Sequence, residues 1–103
     1  MLYRNDAIKY AKAFLKACNK LPVKIDRAVL FGSVVTSSRK GNDIDIALFS
    51  EDFDKNILKN LDRIGKVAIH FPEMDIHTFS TGEYMADSAM LSEIRKSGID
   101  LIL

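Results

Sequence analysis

Apolar residues recur over residues 5–20 at the spacing of one helical face: Ile8, Ala11, Leu15 and Cys18, flanked by Ala7 and Phe14, with Lys9, Lys12, Lys16 and Lys20 opposite. This pattern predicts a surface helix packed on a core, ended by Pro22. Over residues 25–31 the chain turns to the β-branched and large apolar residues of a strand, and Gly32-Ser33 then breaks the run and opens a short helix at Ser33. A second strand is expected over 43–49, with Ile44, Ile46 and Leu48 on one face and Asp43, Asp45, Ala47 and Phe49 on the other. Ile57, Leu61, Ile64, Ala68 and Phe71 return to helical spacing, which predicts a helix over 54–70 despite Gly65; a strand over 67–71 is the competing reading. Residues 75–79 read as a third strand, and Ser80-Thr81-Gly82-Glu83 has the form of a capping box opening another helical turn. A last helix over 88–97, closed by Gly98, and a last strand over 99–103 complete the order.

At 103 residues the chain has the size of one domain, 1–103, with one hydrophobic core. Its 48% apolar and 28% charged residues are those of an ordinary globular protein. No apolar run approaches the roughly 18 residues of a membrane span. The N-terminal stretch has neither the apolar core of a secretory signal nor the arginines of a transit peptide, so the cytoplasm is the expected location. The single cysteine, Cys18, excludes an internal disulfide and sits in the apolar stripe of the first helix, which makes a buried thiol the expectation. Net charge is +1, but residues 1–40 carry nine Lys/Arg against two acids and residues 41–103 six against twelve. The lysine stripe alone reads as a solvated helix face, and nucleic-acid binding is not inferred from it.

The candidate chemistry lies where charge interrupts a strand. Asp43 and Asp45, two apart, are expected to present their carboxylates on one side. Two anions so close stay ionised together when water or a cation offsets their repulsion, and Mg²⁺ suits oxygen-only ligands while also taking phosphate oxygens. An Asp-x-Asp alone is as easily a solvent-facing strand end. Gly32 alters the balance, because a residue without Cβ lets backbone approach a ligand, and Ser33 is a good cap for a helix whose free N–H groups attract anions. Together they suggest a phosphate cradle, with Arg39 and Lys40 neutralising the rest of a polyphosphate.

Gly32-Ser33 followed by Asp43-Ile44-Asp45 resembles the nucleotidyltransferase superfamily related to DNA polymerase β, in particular its minimal members, and the ending EIRKSGIDLIL is similar to theirs. The resemblance implies an α/β (α+β) fold, a mixed β-sheet flanked by helices with three carboxylates on one side, Asp75 being the third. Nine residues separate Ser33 from Asp43, and Val34, Val35 and Thr36 stand where basic residues usually follow the Gly-Ser pair; Arg39 would reach back in their place. The mechanism implied is Mg²⁺-dependent transfer of AMP from ATP to a hydroxyl, with two ions held by Asp43, Asp45 and Asp75, and with Asp75 as the candidate proton acceptor. His77 shares the face of Asp75, but a packed or solvated histidine is the more ordinary reading. A chain ending at Leu103 leaves the acceptor to be held by a partner, and minimal nucleotidyltransferases often pair with a helical protein of the HEPN type. Tyr84, Met85, Met90 and Leu91 are the expected contact residues. The alternative is a non-catalytic nucleotide-binding module that neutralises such a partner.

Overall fold

The computed structural model describes residues 4–36 and 43–101. In chain order it contains α1 (Arg4–Cys18), β1 (Arg27–Phe31), α2 (Ser33–Thr36), β2 (Ile44–Phe49), α3 (Ile57–Ala68), β3 (Met74–Phe79), a 3₁₀ turn (Thr81–Met85), α4 (Ala89–Ser97) and β4 (Ile99–Asp100). The strands form a mixed sheet in the order β3-β2-β1-β4. β1 runs antiparallel to β2 and to β4, whereas β2 and β3 are parallel and joined through α3.

The alternation in β2 sorts the core into two layers. Ile44, Ile46 and Leu48 are buried on one face with Ala7, Ala11, Phe14, Leu15 and Cys18 of α1 and Ile64 of α3. Ala47 and Phe49 are buried on the other with Val29, Phe31 and with Leu91 and Ile94 of α4. The sheet is therefore covered on both sides, as the expected fold requires. The reading of 67–71 as a strand gives way to helix, because α3 extends to Ala68 and turns off through Phe71, whose ring packs edge-on against Tyr10 and Phe14. Ile57, expected in the stripe of that helix, is 60% exposed at its first turn.

Side-chain caps hold the elements in place. Asn56 Oδ1 accepts from the Lys59 N–H to start α3, and Ser88 Oγ accepts from the Leu91 N–H to start α4. The capping box appears as expected, the Glu83 carboxylate accepting from the Ser80 N–H at 3.0 Å. Asn60, wholly buried in α3, accepts from the Asp54 N–H and donates to the Asp54 carbonyl and to Thr78 Oγ1 of β3. It ties the loop after β2 to the strand beyond α3. Among the described residues no helix is long and apolar enough to cross a membrane.

Candidate active site

Strand register brings the acids together. In the parallel pair Asp45 of β2 stands opposite Asp75 of β3, and in the antiparallel pair Phe31 of β1 stands opposite Asp45. Gly32 follows Phe31 directly and so falls beside the Asp45 carboxylate. The same alternation puts Asp75, His77 and Phe79 on one side of β3. Leu91 and Ile94 cover the apolar part of this face, leaving Asp45 half-buried and Asp75 exposed at its end.

His77 Nε2 lies 3.3 Å from Asp45 Oδ1 and 3.6 Å from Asp75 Oδ2. The first separation is that of a hydrogen bond in the tautomer protonated on Nε2. One ligand atom from each of Asp45, Asp75 and His77 lies within 4.8 Å of the others, a grouping that could hold a metal ion. Burial raises the Asp45 carboxyl above the usual range; the hydrogen bond and charge of His77 act in the opposite direction, and the neighbouring Asp75 adds to the rise. A carboxylate that is costly to ionise in the protein alone is one that a cation would stabilise.

Gly32 has φ +85°, a conformation side chains disfavour. A Cβ built there would fall onto the Asp45 carboxylate. The turn after β1 is closed by the Val35 N–H donating to the Gly32 carbonyl at 3.0 Å. Ser33 is the exposed first residue of α2, which is a single turn long. The Arg4 guanidinium donates to the Val35 carbonyl at its end.

The residues singled out in the sequence thus divide. Asp45 and Asp75 converge, with Gly32 against Asp45 and Ser33 following it in the chain. Asp43 lies one residue before β2, exposed, and does not join the group formed by Asp45, Asp75 and His77. Arg39 and Lys40 fall outside the described residues. His77, rated an ordinary packing histidine in the sequence, stands between both carboxylates, with its ring edge-on to Phe31 at 5.2 Å. The i, i+2 relation to Asp75 was its available signal. Of the expected contact residues, Leu91 is core and Tyr84 is half-buried, packed against Phe49 with the Arg27 guanidinium 3.9 Å over its ring. Met85 and Met90 are exposed. A recess of about 260 Å³ lined by Ile57, Ile76, Phe79 and Met90 opens beside His77.

Solved structures of known proteins share this fold. A Sulfolobus solfataricus protein described as a nucleotidyltransferase is 16% identical with a TM-score of 0.69, the match covering 94% of this chain and 80% of that one. A mutant of the toxin–antitoxin pair MntA–HpeT gives 21% identity and a TM-score of 0.60, over 88% of this chain and 71% of that one. The complex of tri-AMPylated Shewanella oneidensis HEPN toxin with its MNT antitoxin gives 22% and 0.56, over 96% and 71%. No curated protein matches the sequence. The family profile described as a nucleotidyltransferase domain matches residues 11–99, a span that takes in the Gly-Ser turn, all three aspartates and every strand of the sheet as far as Ile99, and the chain belongs to that family.

Proposed function

We propose that this domain transfers AMP from ATP to a hydroxyl, in the first place a tyrosine hydroxyl of a HEPN-type helical partner, within the cytoplasm. The observation that carries the reading is the pairing of Asp45 with Asp75 across β2 and β3, beside a glycine whose missing side chain leaves the carboxylate room. The carboxylate pair fits divalent cations, one of its members being held above its usual pKa by burial. Mg²⁺ ions, when bound, would offset the triphosphate charge and stabilise the entering and leaving oxygens.

In this mechanism Asp43 and Asp45 bind the metal-bearing triphosphate, and the backbone at Gly32-Ser33 approaches its phosphates, assisted by Arg39 and Lys40. Asp75 orients the acceptor hydroxyl and takes its proton. The acceptor oxygen forms a bond to the α-phosphorus as the bond to pyrophosphate breaks, and pyrophosphate leaves with that electron pair. The apolar recess beside His77 suits the ring of a tyrosine whose hydroxyl must reach the carboxylates. Among the similar structures, one carries an AMPylated HEPN toxin and another was determined with AMP-PNP; those are properties of those complexes, and they support the reading by shared fold.

The test is ATP labelled at the α-phosphate, incubated with the chain, Mg²⁺ and a HEPN-type partner, with the partner's mass measured intact. Addition of AMP, lost in Asp45→Asn and in Asp75→Asn, is expected. Retained nucleotide binding without label transfer to the partner or to any small hydroxyl would leave a binding module in place of an enzyme.

A further inference from the structure

We infer that His77 is a nitrogen ligand of the metal centre, and that the ion it holds with Asp45 and Asp75 is Mn²⁺ in preference to Mg²⁺. The inference rests on reading these carboxylates as a metal site, but not on nucleotidyl transfer itself.

The three donors come from two adjacent strands. Asp75 and His77 are two apart on one side of β3, and Asp45 is the register partner of Asp75. The imidazole is half-buried against Phe31, so its position is set by packing. Adjacent donors on an ion about 2.0–2.2 Å away stand roughly 3 Å apart; Nε2 is 3.3 Å from one carboxylate oxygen and 3.6 Å from the other. All three donor atoms lie within 4.8 Å of one another, so closure around an ion needs movement of side chains and not of strands.

Donor chemistry then decides the ion. Mg²⁺ takes oxygen ligands and gives up its waters reluctantly, so a ring nitrogen in the set works against it. First-row transition ions accept an imidazole more readily than Mg²⁺ does, and Mn²⁺, though the weakest binder of that series, shares with Mg²⁺ the match to carboxylate, water and phosphate oxygen. Two carboxylates and one imidazole form a donor set that meets both preferences. A Mg²⁺ ion carried by the triphosphate on Asp43 and Asp45 remains compatible with a second ion of this kind. The competing account is that His77 only holds Asp45 in place through their hydrogen bond. In that case its loss would weaken both ions alike.

The experiment uses the full chain with MnCl₂ or MgCl₂ and no nucleotide. Free Mn²⁺ is followed by electron paramagnetic resonance, Mg²⁺ affinity is read by competition, and electron spin-echo modulation of the bound Mn²⁺ reports coordinated ¹⁴N. Expected are Mn²⁺ binding at least about tenfold tighter than Mg²⁺, imidazole modulation in the wild type, and its loss in His77→Gln. That variant should lose about ten- to a hundredfold in Mn²⁺ affinity while Mg²⁺ affinity changes by less than about threefold. Absence of nitrogen modulation in the wild type, or equal losses for both ions in the variant, would overturn the inference. The wild-type spectrum decides even if His77→Gln misfolds. Mn²⁺ bound through nitrogen by a chain that transfers no AMP would sink the proposed function and leave this inference standing.

Discussion

Asp45 concentrates the conflict that the site is built on. Its folded pKa is raised, so between the ordinary carboxylate range and that higher value the folded chain holds a proton that the unfolded chain releases. The corresponding stability is present at low pH and is lost as pH rises through the raised value; at neutral pH the ionised group is a cost. Asp45→Asn should therefore raise the melting temperature of the metal-free protein at pH 7, by a margin that shrinks as pH falls from the raised value towards about 4. The same substitution should lower transfer by about a hundredfold or more, measured as label incorporation. Gly32 makes a second, separable point. From the sequence its role was backbone approach to phosphate, and the structure adds contact with Asp45 itself. Gly32→Ala should cost about 1–3 kcal/mol in urea unfolding through its positive φ and the displaced carboxylate. Combining it with Asp45→Ala should recover part of that loss; strictly additive losses would show that the two positions do not compete for space.

Which parts of this were legible in advance follows from what each element needs. The alternation of β2 told its two faces correctly, because a strand buried on both sides still repeats with period two. The helical spacing over α3 outweighed the apolar run 67–71 that imitated a strand. The convergence of Asp45 with Asp75 was not readable from local pattern, since it depends on β2 and β3 pairing in parallel and in that register, and it entered only through family resemblance. Leu91 was misjudged for the same reason, since tertiary placement decides whether a leucine faces core, and the same placement turns the packed imidazole of His77 towards the carboxylates. Asn60 carried no signal, being a polar residue in a helix whose partners lie in a loop and a strand. Its importance is now testable. Asn60→Ala leaves the Asp54 N–H and carbonyl without their side-chain partner and should cost about 2–3 kcal/mol by chemical denaturation, whereas Ser88→Ala, the loss of one cap, should cost about 1 kcal/mol.

The whole molecule presents a covered sheet with its acids at one end and a modest apolar recess beside them. Ile57 and Met90 rim that recess and are exposed. Changing either to Asp should shift folding stability by no more than about 0.5 kcal/mol yet reduce AMP transfer to the helical partner, as read by intact mass; undiminished transfer would move the contact elsewhere. One feature on the opposite layer offers an internal gauge of all these states. Cys18, the sole thiol, is buried in α1 with its pKa pushed up to about 11 by desolvation. In the closed protein it is both shielded and almost wholly unionised at neutral pH, so a thiol reagent meets it only when α1 lifts from the sheet. The rate of alkylation at Cys18 is then a stopwatch for core opening, and its slowing on addition of a cation or nucleotide would measure, without any engineered probe, how strongly occupation at the acidic end clamps the helix on the far side of the sheet.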